Sequence, residues 1–134
     1  MGENSSTVVL RFAAALDAEA YDEAVEFLAH DCAYESPDGT LIGPAAIMAS
    51  YRDNGERARS RFDEIVYSSS VAQNGDEYVV TYTDGLRCGD RWHEFRCRQR
   101  LRVNPGGKVV AIRHEEIPGE RERLSRFEEN DCRE

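Results

Sequence analysis

Residues 95–103, Phe-Arg-Cys-Arg-Gln-Arg-Leu-Arg-Val, alternate without a break between arginine and an uncharged side chain. A period of two belongs to a strand, because successive side chains there point to opposite faces of a sheet. Phe95, Cys97, Gln99, Leu101 and Val103 share one face, and Arg96, Arg98, Arg100 and Arg102 share the other. One face is therefore buried and the other is wet or meets a partner. Turn signals frame this strand and its neighbours. Asn74-Gly75 lies between two strand-like runs and is a strong hairpin signal. Cys88-Gly89-Asp90-Arg91 and Asn104-Pro105-Gly106-Gly107 supply the next two turns. The spacing predicts four antiparallel strands at about 62–72, 77–88, 91–104 and 108–117.

The first third of the chain has a different period. Val9, Phe12, Ala13 and Leu16 make a helical stripe over residues 6–17, with Ser5 or Ser6 as N-cap. A second helix is expected from about Asp22 to Ala29, burying Ala24, Val25 and Leu28 and ending at His30, where an imidazole complements the helix dipole. A short strand around Cys32–Glu35, a turn at Pro37-Asp38-Gly39 and a second short strand follow. Gly43-Pro44 opens a third helix carrying Ile47, Met48 and Tyr51. Residues 118–134 read as a short amphipathic helix using Leu124 and Phe127, or as a tail. Three helices followed by a long curved sheet is an α+β arrangement. The 134 residues suit a single domain over 1–134.

Charge and composition exclude several classes. Net charge is −9, from 17 basic and 26 acidic residues, which argues against a general nucleic-acid or anionic-membrane binder. The arginine row has no interleaved aromatics, so it reads as a solvated convex face, open to the acidic C-terminal segment or to a second subunit. No apolar run approaches the roughly 18 residues a membrane span needs. The N-terminal stretch lacks the pattern of a signal peptide, and Met1-Gly2 with Ser6 fits only the loose form of a myristoylation site. The default expectation is cytoplasmic. Cys32, Cys88, Cys97 and Cys132 show no metal or redox spacing, so four scattered free thiols are expected. No local motif supports Cys97 as a nucleophile.

The stretch LDAEAYDEAVEFLAHDCAYESPDGTLIGPAAIMASY gives the pattern a name. A helix, an acidic turn, a helix ending near Ala29-His30-Asp31, then Pro37-x-Gly39, Gly43 and another helix resemble the nuclear transport factor 2-like superfamily. The likeness is to its SnoaL-like polyketide-cyclase and ketosteroid-isomerase-like branches, and it spans about residues 6–117. It implies a cone-shaped, curved antiparallel sheet wrapped around three N-terminal helices and enclosing a pocket. It also implies pairing of two copies through the sheet. Many unrelated activities share such folds.

Strand parity then nominates side chains. Tyr82, Asp84 and Leu86 point inward from one strand, and His93, Phe95, Cys97 and Gln99 from the next. In the last strand Val109, Ala111, Arg113, Glu115 and Ile117 alternate with Val110, Ile112, His114 and Glu116. The second set is expected inward, because a buried histidine can stay neutral and an arginine cannot. The family-like register puts His114 beside Gln99 and Glu116 beside Cys97. His93, just after a turn, is expected at the rim.

A ketosteroid-isomerase activity is not expected. The base aspartate of that chemistry falls at Ser36, the oxyanion tyrosine at Phe12 and the oxyanion aspartate at Gln99, so all three roles are missing. His114, Asp84 and Glu116 remain as candidate acid–base residues, with a carboxylate fixing the histidine tautomer and raising its proton affinity. Tyr82, Gln99, Cys97, Tyr34, Tyr51, Phe12 and Trp92 are the candidate substrate-binding residues. Asp84, His114 and Glu116 could in principle ligate a metal, but their spacing resembles no metal motif and none is expected. The implied function is a small-molecule-binding domain acting without a cofactor on a small apolar substrate, as an isomerase, cyclase, dehydratase or hydrolase. The alternative is a non-catalytic ligand-binding or dimerisation module.

Overall fold

The structure, a computed structural model, describes residues 4–132; the Met1-Gly2 start of the acylation pattern lies outside them. Helix α1 (Ser5–Asp17) is capped by Asn4 rather than by either serine: the Asn4 side chain accepts from the Ser6 N–H at 2.8 Å. This helix buries Val8, Val9, Phe12, Ala13, Ala15 and Leu16. The expected second helix is a single turn, α2 (Tyr21–Ala24), tightened into a 3-10 turn at Val25–Phe27. From Leu28 the chain is already extended as β1 (Leu28–Ser36). Tertiary pairing overrides the helical period here, since Leu28 pairs across to Val109. His30 consequently stands exposed on a strand, and the reading of it as a helix-end histidine is corrected.

The remaining elements are β2 (Gly39–Ile42), α3 (Pro44–Arg61), β3 (Glu64–Asn74), β4 (Glu77–Cys88), β5 (Arg91–Val103), β6 (Val109–Glu116) and α4 (Glu120–Asp131). The C-terminal segment is thus a helix. Pro44 takes the first position of α3, behind Gly43 at φ 94°, a backbone region few L-residues tolerate. The six strands form one curved, open sheet in the order β2-β1-β6-β5-β4-β3. Every neighbouring pair is antiparallel except β1–β6, which is parallel. The antiparallel expectation fails only there, where the long excursion between β1 and β6 permits a crossover.

One register detail departs from simple alternation. Arg102 pairs with Ala111 but Val103 with Val109, so Val110 has no partner and forms a bulge. Val109 therefore turns inward and is fully buried, against the expected parity, while Ile112, His114 and Glu116 keep theirs.

The concave face of the sheet carries two apolar clusters. The larger packs α1 and α3 against Cys32, Tyr34, Tyr78, Val80, Leu101, Val109 and Ile112. The smaller joins Phe62, Leu86 and Cys88 to Phe127 of α4. Cys88 and Cys132 form a disulfide, Cα atoms 5.1 Å apart, and Cys32 and Cys97 are free. The expectation of four free thiols is corrected: 44 residues separate the bonded pair in sequence, and only the return of α4 across the sheet brings them together.

The arginine row faces outward as expected, but its side-chain ion pairs come from its own sheet and the β3–β4 turn, and the C-terminal segment reaches the backbone N–H of Arg96 through Glu120. Arg100 meets Glu115 at 3.0 Å and Glu77 at 3.7 Å, Arg96 meets Glu94 at 2.8 Å, and Arg102 meets Asp76 at 3.7 Å. Arg98 buries its Nε without a hydrogen-bond partner. No helix among the described residues is long and apolar enough to cross a membrane.

Candidate functional site

Along β4 the inward side chains run Tyr78, Val80, Tyr82, Asp84, Leu86, Cys88. The first two belong to the large cluster and the last two to the small one. Between the clusters the inward positions turn polar: Tyr82 and Asp84 on β4, Gln99 and Cys97 on β5, His114 and Glu116 on β6. The register sets Tyr82 opposite Cys97, Gln99 opposite His114, and Cys97 opposite Glu116. A cleft of about 900 Å³ opens over this gap, bounded by the β1–β2 turn, α3 and α4. Tyr34, Asp84, Cys97, His114 and Glu116 reach its wall.

Beneath the wall lies a closed hydrogen-bond set centred on Gln99, which is only 3% exposed. Tyr51 Oη donates to Gln99 Oε1 at 2.7 Å, so the amide nitrogen is left to face Tyr34 Oη and His114 Nδ1, each at 3.3 Å. That nitrogen can only donate, so His114 Nδ1 accepts and the imidazole proton sits on Nε2. Gln99, rather than a carboxylate, fixes the tautomer. Burial lowers the proton affinity of His114 below the ordinary imidazole value, and Glu116 opposes this more weakly. The expectation of a histidine raised by its carboxylate is reversed, because desolvation outweighs a partner tied up elsewhere. Glu116 accepts from Arg121 Nε at 2.6 Å at the mouth of the cleft.

Asp84 has no such partner: no hydrogen bond or ion pair to a described residue relieves it. Burial, and then the Asp17 carboxylate, lift it to about 6. Burial pushes the Cys97 thiol up to about 12, with Asp84 and Glu116 adding to the effect, so it is a thiol and not a thiolate near neutrality. Tyr82 keeps its hydroxyl fully buried and unpartnered.

Two nominated residues stand elsewhere. Phe12 is fully buried in the large cluster, edge-on to Tyr51 with ring centroids 6.2 Å apart. Trp92 has outward parity and is 51% exposed on the convex face, under Arg87. Gln99, Tyr51 and Tyr82 support the wall from behind without lining the cleft. His93 stacks on Phe127 with centroids 5.1 Å apart, roofed by α4 rather than open at a rim. Sequence reasoning missed Asp17, at the end of α1, which accepts from Ser69 Oγ at 2.6 Å and so joins the polar gap. An aspartate at a helix C-terminus, where the dipole disfavours it, was the available signal. Among the described residues no three His, Cys, Asp or Glu side chains converge as a metal site would require.

A curved open sheet, with helices on its concave side and a polar gap between two apolar clusters, defines a cup-shaped α+β class of protein. The chain matches the SnoaL-like domain over residues 9–112 and belongs to that family, within the nuclear transport factor 2-like superfamily. Comparison with curated proteins gives no match. Among solved structures it is similar to a nuclear transport factor 2-like protein of unknown function from Burkholderia pseudomallei. That match has 19% identity and a TM-score of 0.68, covering 92% of this chain and 98% of the other. It is also similar to a candidate polyketide cyclase from Xanthomonas campestris pv. campestris, with 17% identity and a TM-score of 0.62 over 82% and 87% of the two chains. A third is TerC co-crystallised with polyporic acid, with 13% identity and a TM-score of 0.64 over 93% and 95%. At these identities the likeness speaks for the fold alone.

Proposed function

We propose that the protein is a cofactor-independent acid–base enzyme acting on a small, mostly apolar carbonyl compound. The observation that carries this reading is Asp84, a carboxylate on the wall of a 900 Å³ cleft, without a partner and lifted to about 6. A base with that proton affinity is mostly ionised at neutral pH and still takes a proton readily. His114 Nε2–H and the Tyr34 hydroxyl are the donors for a carbonyl oxygen, since Gln99 occupies the other side of both groups. In the first step the C–H bond next to the carbonyl breaks and its proton passes to Asp84. The electron pair moves onto the oxygen held by His114 and Tyr34. Return of the proton at another carbon, loss of a leaving group, or attack on a second carbonyl gives isomerase, dehydratase or cyclase outcomes. Glu116 serves the mouth of the cleft through Arg121.

The test is hydrogen–deuterium exchange into β-tetralone in heavy water, followed by proton NMR. Wild type should accelerate exchange, Asp84→Asn should lose on the order of a hundredfold of that acceleration, and His114→Gln a smaller factor. Exchange that survives in Asp84→Asn would refute the assignment. Binding of β-tetralone without any exchange would instead favour a ligand-binding module. That alternative draws support from the Gln99 network, which is already satisfied without substrate.

Homodimerisation through the convex face belongs to the same proposal, supported by the exposure of Val66 and Trp92 there. A cytoplasmic location has less support. The Cys88–Cys132 disulfide is of a kind commoner in oxidising compartments.

A further inference from the structure

We propose that α4 is a redox-controlled wall of the cleft: the Cys88–Cys132 disulfide holds it closed, and reduction lets it swing out and open the apolar end. This adds regulation to the acid–base site, and its effect on turnover rests on that reading. Helix α4 reaches the cleft with Arg121 and Leu124. Behind them the Phe127 ring lies 6.5 Å from that of Phe62 and 5.1 Å from that of His93, centroid to centroid. Phe62, Leu86 and Phe95 pack in the same cluster and line the cleft at this end. Asp84 stands beside them, directly opposite Phe95 in the β4–β5 ladder. The docking of α4 therefore decides whether water floods this end of the cleft.

The two ends of α4 are held unequally. Its first turn carries Glu120 and Glu122, which the helix dipole favours. Glu120 Oε1 accepts the Arg96 N–H at 2.7 Å, and Arg121 Nε donates to Glu116 at 2.6 Å. The last turn carries Glu128, Glu129 and Asp131 and no basic residue, so there the dipole works against the helix. The ion pair of Glu128 with Arg61 adds little, since that arginine side chain is 64% exposed. Phe127 is the one apolar side chain that α4 buries, and 12 residues have little helical stability of their own. The disulfide thus sits where the non-covalent hold is weakest. Gly119, at φ 86°, enters the helix in a left-handed conformation and supplies the hinge. Cys132 is half-buried and Cys88 buried, so a reductant meets Cys132 first. A dithiol attacks the Cys132 sulfur, the S–S bond breaks, and Cys88 leaves as a thiolate that takes up a proton. The second thiol then closes the reductant's own disulfide and frees Cys132 as a thiol, so the reductant gives up two electrons.

The experiment is amide hydrogen exchange by NMR on the full chain, before and after dithiothreitol, well below the thermal midpoint of either form. Alkylation should count two free thiols before reduction and four after it. Reduction should speed exchange from Phe127 to Asp131 by roughly tenfold or more, while the Val80 and Leu101 amides stay protected. The β-tetralone reaction should slow in the reduced protein and recover on reoxidation with oxidised glutathione. Cys132→Ser should behave as the reduced form and ignore dithiothreitol, which sets Cys32 and Cys97 aside as the cause. Unchanged α4 amides after reduction overturn the proposal, as does a count of four thiols before it. Loss of protection at Val80 and Leu101 as well overturns it too, because the disulfide would then staple the whole fold rather than one wall. If α4 opens and an active protein keeps its full rate, α4 is no wall for the substrate and the proposal falls. If α4 opens but the oxidised protein has no β-tetralone activity, the gate stands and the acid–base reading fails.

Discussion

Asp84 and Gln99 lie on the same concave face and meet burial in opposite ways. Gln99 gives its amide oxygen to Tyr51 and its amide nitrogen to Tyr34 and His114, so the neutral side chain costs little to bury. Asp84 is ionisable and has no partner, so its charge is penalised and its folded-state proton affinity rises from 3.8 to about 6. The sign of the consequence for stability follows. A group raised on folding favours the folded state while both states are protonated, and that advantage is lost as pH climbs through the folded value. The window is therefore pH 3.8 to about 6, and above it the ionised Asp84 costs at most roughly 3 kcal/mol. Asp84→Asn should accordingly stabilise the protein by about 1–3 kcal/mol near pH 8 and by almost nothing near pH 4. Urea denaturation at the two pH values checks this. A substitution that destabilises at the higher pH would mean that Asp84 has a favourable partner after all. Stability given up at one carboxylate in a cleft is the pattern expected of a working site. Parity made Asp84 readable in the sequence; for His114 and Glu116 the choice of face also needed the argument that a buried histidine can stay neutral and an arginine cannot. Asp17 carried only the signal of an acid at a helix C-terminus, and its place in the site depends on how α1 docks.

At the scale of elements, α4 takes the helical of the two alternatives the sequence left open, and packs Leu124 and Phe127 as that reading expected. Strand β6 stops at Glu116, opposite Cys97, so the stretch of β5 before Cys97 lacks a strand partner on that side. Helix α4 covers the edge: Glu120 Oε1 accepts the Arg96 N–H at 2.7 Å, and Arg123 holds the same carboxylate at 2.5 Å. Leu124 and Arg121 complete the cleft wall, Phe127 stacks on Phe62 with centroids 6.5 Å apart, and Cys132 is bonded to Cys88. Cross-linking residues 44 apart in the chain constrains the unfolded state, by about 2–4 kcal/mol. Cys132→Ser should therefore lower the thermal midpoint, and a reducing agent should lower that of wild type to match while leaving the variant unchanged. Wild type indifferent to reduction would show that the disulfide does not form in solution. The long hairpins were legible because local turn chemistry and a period of two agreed over many residues. The second helix was not, because the pairing of Leu28 with Val109 that overrides it lies beyond any local pattern; nor was the Val110 bulge, an irregularity of the β5–β6 ladder that alternation does not encode.

The whole molecule carries a net charge of −9, and two such chains repel at long range. The convex face is nevertheless almost neutral by itself, since Glu94, Glu115, Glu77 and Asp76 offset three of its four aligned arginines. Arg98 is the exception, its Nε buried without a partner. Close by, Val66, Ser68, Thr83, Gly85 and Trp92 line a shallow hollow, with Val66 and Trp92 each 51% exposed. A flat, near-neutral face with an exposed tryptophan is where two copies of an acidic protein can meet. Pairing there should strengthen with salt, because added ions screen the repulsion between like-charged chains while the contact itself is mostly uncharged. Trp92→Glu should convert a dimer to a monomer in light scattering, and Arg98→Glu should weaken it less. Neither variant should disturb β-tetralone exchange, because the cleft opens on the opposite side of the sheet. A wild-type protein that stays monomeric at every concentration and salt level would sink the dimer. A dimer unaffected by Trp92→Glu would move the interface to another surface.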